Sequence, residues 1–146
     1  MILDSLLIFS DAQAITATAA STNIIAKNSL AAETIPPGWT QAIVHNPAPG
    51  EPIPIVVRVT EDFNTLTSLT VTVETDTAAA FSSATQVASS GSIALASLVA
   101  GFRIPLTFMP NLTEAFIRLK YTVTGTDPTT GILDAYIPAS NQDNLT

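Results

Sequence analysis

The sequence predicts an all-β protein, a single antiparallel β-sandwich. Three observations point there. Five segments alternate apolar and polar residues with a period of two and are rich in β-branched side chains. Turn-forming residues separate them. Helix formers are scarce, with only 5 Lys and Arg together and 2 Met in 146 residues. Alternation implies that each sheet buries one face, so two sheets must pack together. The length suits one domain that buries about 70% of its unfolded surface. An apolar content of 47% supplies the core. Alternation does not distinguish a jelly roll from another Greek-key order.

The chain starts Met1-Ile2-Leu3-Asp4-Ser5-Leu6-Leu7-Ile8-Phe9. No basic residue precedes Lys27, and Asp4 interrupts the apolar run, so a signal peptide is not expected. The segment should instead be ordered against a neighbour or a sheet edge, because Leu3, Leu6, Leu7, Ile8 and Phe9 would otherwise expose an apolar patch. Further on, Ile15, Ala17 and Ala19 alternate with Thr16 and Thr18, a weak strand signal. Residues 26–52 carry Pro36-Pro37-Gly38, Asn46-Pro47-Ala48-Pro49-Gly50 and Pro52, and read as an excursion with a short strand at 39–44.

The clear strands follow. Residues 53–60 point Ile53, Ile55, Val57 and Val59 one way and Arg58 and Thr60 the other. Residues 67–75 place Leu69, Val71 and Val73 inward and Thr70, Thr72 and Glu74 outward. In 103–109, Ile104, Leu106 and Phe108 alternate with Arg103 and Thr107. In 115–124, Ile117, Leu119, Tyr121 and Val123 alternate with Arg118, Lys120, Thr122 and Thr124. Residues 131–137 set Leu133, Ala135 and Ile137 against Asp134 and Tyr136. Gly91 reads as the turn of a short hairpin between 87–90 and 92–96, and 78–83 as one helical turn at most. The uncharged stretch 77–102 is punctuated by Ser, Thr, Gln and Gly, so it is not a membrane span.

The chemical inventory argues against an enzyme. Cys is 0 and His is 1, which excludes disulfides, thiolate or histidine-cluster zinc sites and a Cys nucleophile. His45 lies beside turn residues, and no Gly-x-Ser-x-Gly motif accompanies it. The pairs Glu61-Asp62 and Glu74 with Asp76 lack a calcium-loop pattern and read as solvated strand ends, as do Asp127 and Asp134 beside a turn. No phosphate-loop spacing occurs among 6 Gly, so no cofactor or metal is expected. The sequons at Asn111 and Asn144 read as chance in a Thr-rich chain.

The net charge is −7, and the few basic residues are spread from Lys27 to Lys120. Neither nucleic acid nor an anionic membrane is an expected partner. A mean hydropathy of +0.39 with so few charges suggests surface buried against other copies. A homodimer is expected ahead of a homotrimer. Trp39 either caps the sandwich or anchors a partner. Arg58, Arg103, Arg118 and Lys120 fall on outward strand positions. If those strands share a sheet, one face is basic and suited to docking on a protein; otherwise they are simply solvated. With Leu7 and Phe9 of the apolar start, these residues are the candidate interface set.

Several stretches in order resemble the capsid cement (decoration) proteins of tailed bacteriophages. They are Met1-Ile2-Leu3-Asp4 with Phe9-Ser10-Asp11-Ala12-Gln13-Ala14, Thr16-Ala17-Thr18-Ala19 and Ser21-Thr22-Asn23-Ile24-Ile25. Gly50-Glu51-Pro52 then leads into the strand at 55–59. Leu69-Thr70-Val71, Ala80-Phe81-Ser82-Ser83 and Ala88-Ser89-Ser90-Gly91-Ser92-Ile93-Ala94-Leu95 follow. The last are Leu98-Val99-Ala100-Gly101, Arg103-Ile104-Pro105-Leu106, Arg118-Leu119-Lys120-Tyr121-Thr122-Val123 and Gln142-Asp143-Asn144. The likeness covers most of the chain outside about 26–49 and 108–114. It implies a jelly-roll sandwich on the outer surface of an icosahedral head, with the major capsid protein as partner. Such a protein would tie coat subunits together without catalysis, and absent Cys suits assembly in a reducing bacterial cytoplasm. The rival readings are a carbohydrate- or receptor-binding sandwich and a hydrolase using His45. The first needs an aromatic platform or a Ca²⁺ loop, and aromatics are only 6%.

Overall fold

The computed structural model describes residues 5–26, 54–106 and 114–138. Nine strands run through them: β1 (Ile8–Ala14), β2 (Ala19–Ala20), β3 (Ile25–Ala26), β4 (Val56–Glu61), β5 (Leu66–Asp76), β6 (Thr85–Ala94), β7 (Arg103–Ile104), β8 (Phe116–Gly125) and β9 (Ile132–Tyr136). Single 3-10 turns occur at Ser5–Leu7 and Leu95–Ser97. The short strand expected at 39–44, with Trp39, His45 and nearly all of the Pro-rich excursion, lies outside the described residues.

The strands form two antiparallel sheets. The first has the order β1-β9-β4-β7 and the second β2-β8-β5-β6, with β3 also paired to β8. The pairings are nested. β1 meets β9, β2 and β3 meet β8, β4 meets β7, and β5 meets β6. The first half of the chain thus runs as one long ribbon against the second half. Rolling that ribbon up brings β4 beside β9 and β5 beside β8, which closes the two sheets. This is the jelly-roll order.

The inward residues of both sheets make one core. Val57 and Val59 of β4, Leu69, Val71 and Val73 of β5, Ile117, Leu119 and Tyr121 of β8, and Leu133 and Ala135 of β9 are all buried. Fully burying each of the larger ones stabilises the fold by about 1.5–3 kcal/mol before entropy is counted. These are the alternating positions that the sequence marks as inward.

Of the apolar start, residues 1–4 lie outside the described residues, Leu6 is exposed, Leu7 packs against the core and Phe9 is buried in it. Ser5–Leu7 forms a 3-10 turn, the Leu7 carbonyl accepts the Ile137 N–H at 2.9 Å, and the chain continues as β1 on the sheet edge. Strict alternation fails in β1 because Phe9 and Ser10 are adjacent and both buried. The β1–β9 register shifts there, and Ala12 takes a positive φ of 45°. The strand therefore starts before the stretch whose weak alternation marks one.

Two further expectations are corrected. Residues 85–94 form one strand, not a hairpin around Gly91. Thr70 pairs with Ser92 and Thr72 with Ser89, so Ser90 and Gly91 together oppose Val71 as a bulge. Gly91 supplies the positive φ of 72° that the bulge needs. Ser90 Oγ accepts the Val71 N–H at 3.0 Å, replacing a ladder bond, and Ser89 Oγ accepts the Gly91 N–H at 3.1 Å. The bulge twists an uncharged outer strand, one way to blunt an open edge. Residues 78–83 form turns and no helix, because Asp76 holds the loop from within: its Oδ1 accepts the Ala78 N–H at 3.0 Å and its Oδ2 the Ser83 N–H at 2.8 Å.

One polar tie crosses the core. Gln13 Oε1 accepts the Thr22 N–H, and its amide nitrogen donates to the Ala20 carbonyl, which fixes the amide orientation. Ser10 Oγ therefore donates to Gln13 Oε1 at 2.6 Å, so the Tyr121 hydroxyl donates to Ser10 Oγ at 2.7 Å. This links β8 of one sheet to β1 of the other. Burial pushes the Tyr121 phenol well above its ordinary value, and the bond to Ser10 only partly offsets that.

Candidate functional site

The four basic candidates do not share a sheet. Arg58 lies on β4 and Arg103 on β7 of the first sheet, whereas Arg118 and Lys120 lie on β8 of the second. Outward residues of packed sheets face opposite sides, so the condition for a single basic face is not met and the cations lie on two faces. Sheet order decides this, and alternation does not carry sheet order.

On the second face the cations are neutralised. β5 runs between β6 and β8, and its register sets Glu74 opposite Arg118 and Thr72 opposite Lys120. Arg118 Nε donates to Glu74 Oε2 at 2.9 Å, and its Nη2 lies 2.8 Å from the same oxygen. Lys120 Nζ stands 3.6 Å from Glu74 Oε1. The Arg118 guanidinium also lies 4.2 Å from the centroid of the Phe81 ring, a cation–π contact. Phe81 is buried at a positive φ of 50°, in the loop that Asp76 holds.

Glu61, Asp62 and Asp127 are exposed, as expected of solvated strand ends, whereas Glu74 and Asp76 depart from that reading. Glu74 and Asp76 are 8% and 3% exposed: both lie on the central strand β5, with Arg118 and Lys120 of β8 against Glu74 and the Ala78 and Ser83 N–H groups against Asp76. The N–H groups of Ala78 and Ser83 hold the Asp76 carboxyl below its ordinary value, against the opposing effect of burial. Asp62 Oδ1 accepts the Ala100 N–H at 2.6 Å and so tethers the loop before β7. Asp134 sits within β9, not beside a turn, and its Oδ1 accepts the Ala12 N–H at 2.8 Å where β1 bulges.

On the first face no described acid pairs with the cations. Arg58 and Arg103 are both exposed and directly opposite one another in the β4–β7 pairing. Asp134 lies opposite Arg58 on the other side. Among the described residues the ion pairs are those of Glu74 with Arg118 and Lys120. Val56 and Tyr136, one row away and facing the same way, are half-buried.

Of the three apolar candidates, Trp39 lies outside the described residues and the other two are used within the chain. Phe9 is fully buried in the core, so it is not an exposed contact, and Leu7 is half-buried against that core. Among the described residues, the large apolar side chains that do stand exposed are Leu6, Ile24 and Val99. Sequence reasoning missed Glu74 and Phe81 as the partners of Arg118. The spacing of Glu74 and Arg118 on two alternating strands carries part of that signal, but only strand pairing completes it. Among the described residues, no group of three His, Asp or Glu side chains could hold a metal ion.

The Bbp16 family model matches residues 9–137, from β1 to just beyond β9. The chain belongs to the Bbp16 family. The family unit therefore contains both sheets and both outer faces, with the Pro-rich segment inside its span. No curated protein matches the chain.

Proposed function

We propose that this Bbp16-family chain is a structural virion protein that binds the outside of an icosahedral phage head and cements neighbouring coat subunits. The observation that carries this reading is the ordered series of stretches resembling phage cement proteins. Those stretches fall on β1, β4, β5, β6, β7 and β8, so the likeness spans both sheets of the roll. It also includes Phe81 and Ser83, which the Arg118 and Asp76 contacts hold in place. A rigid β body with an inter-sheet hydrogen bond suits a mechanical role.

Cementing needs no chemistry. A protein that binds the assembled lattice and not free coat subunits stabilises the lattice by mass action. The gain is about 1.4 kcal/mol per tenfold excess of free protein over its Kd, for each site. The major capsid protein is the partner, the virion surface is the location, and a homodimer is the unit that would bridge two coat subunits.

The test compares heads carrying and lacking the protein for DNA retention under heat or chelator stress. Cementing predicts that heads lacking it release DNA under milder conditions. Equal retention contradicts the proposal.

A further inference from the structure

We propose that Arg58 and Arg103 form a two-pronged clamp for carboxylates on the coat protein, making the outer face of the first sheet the docking face. This rests on the cementing function proposed above and adds which surface is used and what chemistry it recognises.

The strand pairing sets the two side chains beside each other. Val59 N–H donates to the Phe102 carbonyl at 2.9 Å, so that position is the hydrogen-bonded one between β4 and β7. The next position, Arg58 opposite Arg103, is then the narrow kind, where side chains stand closer. Their Cβ atoms are about 4.5–5.5 Å apart in such a pair. Like charges directly opposite each other destabilise a sheet. The neighbouring acid does not relieve them. Asp134 spends Oδ1 on the Ala12 N–H and makes no ion pair with Arg58.

Only 5 basic residues occur in a chain of net charge −7. Two of them stand side by side, exposed and without an ion pair among the described residues. Two others are held by Glu74 on the far face. That is the arrangement expected where an outside group supplies the missing negative charge. Arg presents a planar fork that matches a carboxylate bidentately, and Arg beside aromatic and aliphatic side chains is a common centre of protein interfaces. Val56 and Tyr136 provide that setting here.

The occupant follows from charge. Nucleic acid offers a long array of phosphates and needs many cations, which a net charge of −7 opposes. A second copy docking with this pair on the two-fold axis would set Arg58 and Arg103 against the same pair, adding repulsion. A coat surface bearing Asp or Glu is complementary.

The test adds purified protein to heads lacking it and measures attachment across a salt series. The R58Q/R103Q variant should attach at least ~10-fold more weakly, with a shallower salt dependence. R103Q alone should fall between it and the wild type. K120Q should attach like the wild type, since its cation faces the other side. Thermal unfolding should confirm that each variant is folded. Attachment of R58Q/R103Q equal to wild type overturns the clamp and leaves the cementing function standing. Failure of the wild type to attach overturns both.

Discussion

The two outer faces of the roll carry the same kind of residue and treat it in opposite ways. On the second sheet, Arg118 and Lys120 share Glu74, and Arg118 rests on Phe81. On the first sheet, Arg58 and Arg103 face each other with no ion pair among the described residues. The former is an internal structural device, with Glu74 only 8% exposed. The latter sets like charges opposite each other, which costs the sheet something, and makes no ion pair among the described residues. A basic residue on an outward strand position is therefore not informative until its cross-strand neighbours are known.

The largest expected effect breaks the structural face. Glu74→Gln should lower stability by about 2–3 kcal/mol, below the cost for a fully buried pair because Arg118 and Lys120 keep 20% and 41% of their side-chain exposure. In a domain of this size the midpoint of thermal unfolding should fall by about 5–10 °C. A shift under 1 °C would mean that the second face is as solvated as the first.

A smaller effect breaks the link between the sheets. Tyr121→Phe removes the donor to Ser10 and should cost about 1–2 kcal/mol in denaturant unfolding. The same tyrosine makes the wild type sensitive to alkali. Its folded-state value is raised above the ordinary 10, so the folded chain holds the proton that the unfolded chain loses. The contribution is complete below about pH 10 and declines above it, by up to ~1.4 kcal/mol per pH unit. Tyr121→Phe should flatten that decline, and an unchanged slope would contradict the assignment.

Acid acts on the Asp76 loop. Its carboxyl is held below the ordinary 3.8, so its contribution is present above that value and is lost as pH falls through the lowered folded-state value. Asp76→Asn should remove this part of the acid sensitivity in unfolding measured against pH. The smallest stability effect belongs to the first face. Arg58→Ala should change stability by no more than about 0.5 kcal/mol, and removing the charge opposite Arg103 favours a slight gain. A large loss would show that Arg58 is structural.

Alternation made β4, β5, β8 and β9 legible, because each has a buried inner side and Val57, Leu69, Leu119 and Leu133 follow the period of two. It could not show β1, where Phe9 and Ser10 are both buried and a bulge resets the period, or the unbroken β6, where Gly91 imitates a turn. The basic candidates were legible one by one as outward residues. Their division between two sheets was not, since it depends on contacts far apart in sequence, such as Arg58 with Arg103 and Glu74 with Arg118. The burial of Glu74 was hidden for the same reason: outward means exposed only when a strand's neighbours leave it open.

The most direct measurement is an electron-microscopy reconstruction of heads carrying the protein. The account predicts density for the roll on the outside of the shell, with Arg58 and Arg103 against Asp or Glu side chains of the coat protein and the Glu74–Arg118 pair turned away from that contact. The absence of this protein from the shell, or docking through the second sheet with Arg58 and Arg103 facing solvent, would contradict it.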